Sequence, residues 1–89
     1  MIYDYDFRGL IEDPQAGSIE LSVRISKPQK SKGDADDYYC EVQILPVLKA
    51  GKKIVGVDRK QAKQLAREFV RRLLSGKRIT DANGNPVTL

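Results

Sequence analysis

Apolar and polar residues alternate along most of this chain, and one stretch changes to a helical period. Ile19, Leu21, Val23 and Ile25 alternate with Glu20, Ser22, Arg24 and Ser26. A period of two with one apolar side predicts a strand of an antiparallel sheet, buried on one face and wet on the other. Tyr3, Tyr5 and Phe7 alternate in the same way with Asp4, Asp6 and Arg8. That predicts a strand whose aromatic face packs on the core and whose charged face meets water. Gly9 is placed to bend or bulge it, and Asp13 to Gly17 reads as a turn. Tyr38, Cys40, Val42 and Ile44 line one face of a third strand, with Tyr39, Glu41 and Gln43 on the other. Pro28 is expected to end the second strand, with a polar hairpin loop over residues 28–37. Lys49-Ala50-Gly51-Lys52 reads as a turn, and residues 53–57 as a short fourth strand.

The helical period follows directly. Asp58 is the expected N-cap, Gln61 stands where a capping box places Glu or Gln, and Val57 with Ala62 is spaced as a hydrophobic staple. Ala62, Leu65, Ala66, Phe69 and Leu73 fall on one apolar stripe, with Val70 at its border and Leu74 off it. Gly76 suits the left-handed position that closes many helices. Beyond it, Asn83-Gly84 between short β-prone runs signals a C-terminal hairpin.

These elements run β-β-β-β-α-β, with the terminal hairpin as a possible addition. The expected fold is therefore α+β: a two-layer sandwich in which an antiparallel meander is covered by one amphipathic helix, forming a single domain over residues 1–89. The stripe should cover the sheet face carrying Ile19, Leu21, Val23, Ile25, Cys40, Val42 and Ile44, with Leu65, Phe69 and Leu73 pointing inward.

Charge adds a direction to this picture. The net charge is +4, but residues 1–20 hold five acids and one base, whereas residues 49–89 hold eleven bases and three acids. Lys60, Lys63, Arg67 and Arg71 share the outer face of the helix, and Lys49, Lys52 and Lys53 precede it. Like charges four residues apart cost a helix about a few tenths of a kcal/mol per pair. The simpler reading of this ridge is a solvated face; the functional reading is a site for an anionic partner, nucleic acid first. Alternatively the acidic beginning and the basic end attract each other within the fold.

Candidate chemistry is sparse. Histidine is absent, which removes Ser-His-Asp and Cys-His catalysis and most zinc sites. Cys40 is the only cysteine and reads as a small buried hydrophobe, so no intrachain disulfide forms. Asp34, Asp36 and Asp37 lack an accompanying ligand framework for a metal, and Asp81, Asn83 and Asn85 lack the glycine and closing glutamate of a calcium loop. Gly51-Lys52 lacks the glycine spacing of a phosphate loop. An enzyme would have to draw on groups such as Asp4, Asp6 and Tyr39, and no cofactor is expected. The chain has no apolar run long enough for a membrane span, and its acidic, alternating beginning is unlike a signal or transit peptide, so the cytoplasm is the expected compartment.

Gly56-Val57-Asp58, Gln61-Ala62 and Leu65-Ala66, preceded by a strand with Cys40 and Ile44, resemble an uncharacterised family of small bacterial α+β proteins with a GVD-x-x-QA-x-x-LA helix start. The similarity spans residues 18–75. It implies an α+β fold and a bacterial or phage setting, and it brings no activity and no catalytic residue. The basic helix face and the Asn-Gly tail depart from that pattern. The expected function is a small non-enzymatic binding or accessory domain whose partner is a protein or a second copy of itself, as a homodimer; the alternative is nucleic-acid binding through the basic helix face.

Overall fold

The computed structural model describes residues 3–32 and 37–88. The strands are β1 (Tyr3–Asp13), β2 (Gly17–Ser26), β3 (Gln29–Lys30), β4 (Tyr38–Leu45), β5 (Leu48–Gly56) and β6 (Ile79–Thr80), and the helix is α1 (Arg59–Leu73). All six strands belong to one antiparallel sheet. Tyr39 pairs with both Gln29 and Val55, and Val42 pairs with both Ile25 and Lys52. A residue has one partner on each side, so β2 and β3 share one edge of β4 and β5 takes the other. Read across, the sheet runs β5, β4, then β2 with β3, then β1, then β6.

The expected two-layer sandwich of order β-β-β-β-α-β is therefore corrected. Among the described residues six strands form a single sheet, and the one helix, of 15 residues, packs chiefly on β4 and β5. One reason lies at Pro28. It interrupts the ladder without ending the pairing. Ser26 is fully buried, and its hydroxyl accepts the Glu41 N–H at 2.8 Å and donates to the Lys27 carbonyl at 3.2 Å. That side chain fills the gap in the ladder, and pairing resumes at Gln29. A second reason is size. At about 1.5 Å per residue the helix is about 22 Å long, against a molecule of 46 × 23 × 21 Å. It covers part of one sheet face and makes no complete second layer.

Two local expectations also move. Lys49 to Lys52 is strand, not turn; the chain reverses at Pro46 and Val47, after a cis Leu45–Pro46 bond. A register shift between Val42 and Ile44 absorbs the extra β5 residues and hides the strand from a simple period-two reading. Tyr3 does not share a face with Tyr5 and Phe7. The register of β1 shifts between Tyr3 and Tyr5, and the Arg24 guanidinium lies 5.1 Å from the centroid of the Tyr3 ring, on the sheet face away from the helix. Asp34 and Asp36 lie outside the described residues.

The core sits between α1 and the sheet. Ile11, Leu21, Val23, Ile25, Cys40, Val42, Ile44 and Ile79 meet Ala62, Ala66, Val70 and Leu74 there, all buried. The helical contribution differs from the expected stripe. Leu65 is 36 % exposed, Phe69 and Leu73 are half-buried at the flank, and Leu74 is inside. The cause is close approach. A Cβ on Gly56 would stand 2.5 Å from the Ala62 nitrogen and 2.8 Å from its Cα. The backbones of β5 and α1 touch there, so the small side chains of Ala62 and Ala66 face the sheet and Leu65 turns aside. Val57 remains exposed and makes no buried staple with Ala62. The N-cap holds as expected: Asp58 Oδ1 accepts the Gln61 N–H at 2.7 Å, while Gln61 Oε1 reaches back to the Val57 N–H at 2.7 Å.

After α1, Gly76 adopts φ +78° and turns the chain toward β6, which lies beside Leu10 and Ile11 of β1. The Asn83-Gly84 tail does turn back: Thr80 bridges Pro86, and the Val87 N–H donates to the Ile79 carbonyl at 2.9 Å. Asp81 organises that turn, its Oδ1 accepting the Asn83 and Asn85 N–H groups at 2.9 Å each.

Gly56→Ala should lower stability by about 1–3 kcal/mol in urea unfolding, because the new methyl meets helix backbone that cannot step aside. Gly51→Ala should do much less, since its methyl meets only the mobile end of Glu41.

Backbone N–H donation, Asn85 first, holds the Asp81 carboxyl below its ordinary value, and Gln15 and Ala16 do the same for Asp13. A depressed folded-state value means stability present in full above the unfolded value near 3.8 and lost as pH falls through the folded one. Asp81→Ala should flatten the acid side of the stability curve, read as a smaller difference in Tm between about pH 6 and about pH 3.

Candidate binding surface

The outer face of α1 carries Lys60, Lys63, Arg67 and Arg71, all exposed, with Gln64 and Glu68 among them around a shallow groove. The capped helix start fixes this face: once Ala62 and Ala66 are seated on the sheet, the cations must point away from it. Two of them do not wait for a ligand. Lys63 Nζ lies 3.4 Å from Asp4 Oδ2, and the Arg67 guanidinium lies 5.3 Å from the centroid of the Tyr5 ring. Arg71 also has a partner within the protein. The like-charge ridge is thus relieved by the first strand. A half-exposed ion pair of this kind contributes about 0–1 kcal/mol, and a cation over a ring about 0.5–1 kcal/mol at an exposed site.

The other basic residues do not extend the ridge into one patch. Lys52 lies over the Phe69 ring at 5.4 Å, on the helix side of the sheet. Lys53 lies over the Tyr39 ring at 4.9 Å, on the opposite side. Successive residues of a strand point to opposite faces, so Lys52 and Lys53 cannot serve one site. Lys49 is on β5, described by its backbone alone. Arg59, which sequence reading left aside, lies 5.3 Å from the Tyr38 ring.

The groups an enzyme would have to use are not brought together. Asp4 reaches the helix at Lys63, whereas Asp6 reaches Arg24 at 3.5 Å on the other face of the sheet. The Tyr39 hydroxyl donates to Gln29 Oε1 at 3.1 Å. Cys40 is fully buried, and its thiol is pushed up, first by burial and then by the Asp4 charge, with Lys63 pulling the other way. The Tyr5 hydroxyl is raised by burial against a smaller opposing effect of Arg67. Neither group is poised as a nucleophile or base at neutral pH.

Two surfaces were not singled out from sequence. One is the sheet face opposite the helix. It bears Asp6, Arg24, Glu41 and Lys53 with the exposed Leu45 and Val55, and it opens into a concavity lined by Arg8, Leu10, Glu20, Ser22, Leu45 and Pro46. The other is the outer edge of β1. Among the described residues β6 pairs only with Leu10 and Ile11, and its Thr80 carbonyl reaches Gly9, so no strand pairs with the outer edge from Tyr3 to Arg8. The alternation of residues 3–8 marked a strand, but nothing in it marked that strand as an edge.

No known protein family matches this chain, and neither a characterised protein nor a solved structure resembles it.

The buried, neutral Cys40 thiol should react with an alkylating reagent only as fast as the fold opens. Labelling followed by mass spectrometry should be slow in native buffer and complete in denaturant; rapid native labelling would contradict the packing of α1 on β4.

Proposed function

We propose that this chain is a small non-enzymatic binding domain of bacterial or phage origin that engages a protein partner through the sheet edges and sheet face its helix leaves open. One observation carries the reading: β1 is an eleven-residue strand with strand-forming aromatic residues, yet its outer edge has no strand paired with it from Tyr3 to Arg8 among the described residues. Unpaired backbone N–H and C=O groups in a row are a template for another strand. The absence of histidine and the separation of Asp4, Asp6 and Tyr39 support a role without chemistry.

Nucleic acid is the alternative partner, along Lys60, Lys63, Arg67 and Arg71. Lys63 is paired with Asp4 and Arg67 is stacked on Tyr5, which weakens the field available to phosphates. Among the described residues no helix is long and apolar enough to cross a membrane.

The test is affinity capture with the full chain, comparing wild type with Arg8→Pro, which blocks the β1 edge, and Lys60→Glu, which alters only the helix ridge. A stoichiometric protein partner, or a second copy of the chain, should be retained by wild type and Lys60→Glu and lost from Arg8→Pro. Salt-sensitive binding of labelled oligonucleotides that disappears in Lys60→Glu would favour nucleic acid and overturn the reading.

A further inference from the structure

The apolar stripe of α1 is wider than the sheet beneath it, and the uncovered part lies at β5. Lys63 and Arg67 reach Asp4 and Tyr5 of β1, so that flank of the helix faces β1. Phe69 meets Lys52, so the opposite flank faces β5. Leu65 and Leu73, four residues before and after Phe69, share its flank. Leu65 is 36 % exposed, and Phe69 and Leu73 are half-buried. Ile54 of β5, opposite the buried Cys40 and therefore on the helix side, is half-buried as well.

The backbone of that edge is open. From Lys52 to Gly56 the pairing with β4 keeps one register, and among the described residues no strand pairs with the other side of β5. A strand added there at the usual spacing of about 4.8 Å would continue the sheet beside Ile54 and close the seam at Leu65.

Side chains along the edge set the chemistry of such a strand. Residues 48–56 hold three lysines and no acid. Lys52 and Ile54 lie on the helix side, Lys53 and Val55 on the far side. A compact ligand cannot reach both Lys52 and Lys53, but a strand can, because its own side chains alternate between the two faces. On the far side Lys32 borders the same hollow as Lys53 and the exposed Val55. Glu41 stands opposite Lys53 in the ladder and offsets part of that charge, so Lys52 on the helix side carries most of the selection. Lysines on an edge turn away another cationic edge, a second β5 included, and favour an acidic strand.

We infer that β5 takes an extended segment of another protein in which two adjacent acidic residues stand next to two adjacent apolar ones. The acids lie against Lys52 and Lys53, and the apolar pair lies against Ile54 and Val55, one of its side chains closing the seam at Leu65. Backbone pairing supplies attachment and the alternate side chains supply specificity. The inference rests on the reading that open sheet edges bind protein, and it names the segment for the edge opposite β1.

Fluorescence polarisation of short labelled peptides with the full chain tests it. The peptides carry two valines and two glutamates in both orders, because an added strand can run in either direction. One order should bind saturably. Lysines in place of the glutamates should abolish binding, and serines in place of the valines should weaken it by roughly tenfold or more. Lys52→Glu should weaken the glutamate peptide to the same degree and accept the lysine peptide instead, which a misfolded variant would not do. Leu65→Gln should weaken binding too, whereas Lys60→Glu and Arg8→Pro should bind as wild type does. Amide hydrogen exchange should slow at alternate residues of β5 when the peptide is bound. Binding that Lys60→Glu weakens as much as Lys52→Glu overturns the inference, because it reports only attraction of acid to a basic protein. Binding that leaves exchange in β5 unchanged overturns it as well. If neither peptide order binds while a protein partner is still captured through Arg8, this inference alone ends; if neither binding nor capture is seen, the protein-binding reading ends with it.

Discussion

The contact on which the rest depends is backbone against backbone, where the first turn of α1 rests on the end of β5. Gly56 has no side chain there, and a single methyl would meet the Ala62 nitrogen and Cα. Close seating selects which helix face turns inward. Ala62, Ala66 and Val70 enter the core, and Leu74 follows beyond the last turn. Larger residues such as Leu65 cannot occupy the line of closest approach, so they flank it. The orientation of every cation on the outer face follows from that choice.

Electrostatics then ties the first strand to the helix. Among the described residues the acidic beginning and the basic end of the chain meet across the fold through Lys63 with Asp4, Arg67 over Tyr5, and Arg78 with Glu12 at 3.6 Å. Each is partly or largely exposed, so none is a large source of stability. Their effect is on the surface instead. The ridge that looks unopposed in sequence is partly neutralised in space, and its remaining charge is divided from Lys53 by the thickness of the sheet. The irregularity in β1 between Tyr3 and Tyr5 lets one strand serve both faces, with Asp4 meeting the helix and Tyr3 meeting Arg24 on the far side.

The two long edges of the sheet are chemically unlike. One is cationic and repels its own kind; the other mixes aromatic rings with charges of both signs. A small sheet covered on one face by one short helix cannot hide both edges. The position of β6 matters for this reason. It is two residues long and, among the described residues, pairs with Leu10 and Ile11 of β1 and sets its Thr80 carbonyl beside Gly9.

Local chemistry was readable from the chain itself. The alternation of residues 19–26 and 38–44, the Asp58 cap, the turning glycine at position 76 and the Asn83-Gly84 reversal all rest on interactions within a few residues, so the sequence determined them. The tertiary structure decided what depends on distant neighbours. The ladder resumes past Pro28 only because Ser26 meets Glu41, and Lys49 to Lys52 become strand only because β4 lies alongside. Leu65 turns outward because Gly56 admits the helix so closely, and Tyr3 leaves its aromatic neighbours because β2 imposes a shifted register. The physical reason is common to all four. Periodicity reports which residues prefer to be buried, but the partner strand and the packing distance settle which of them are, and both come from segments far away in the chain.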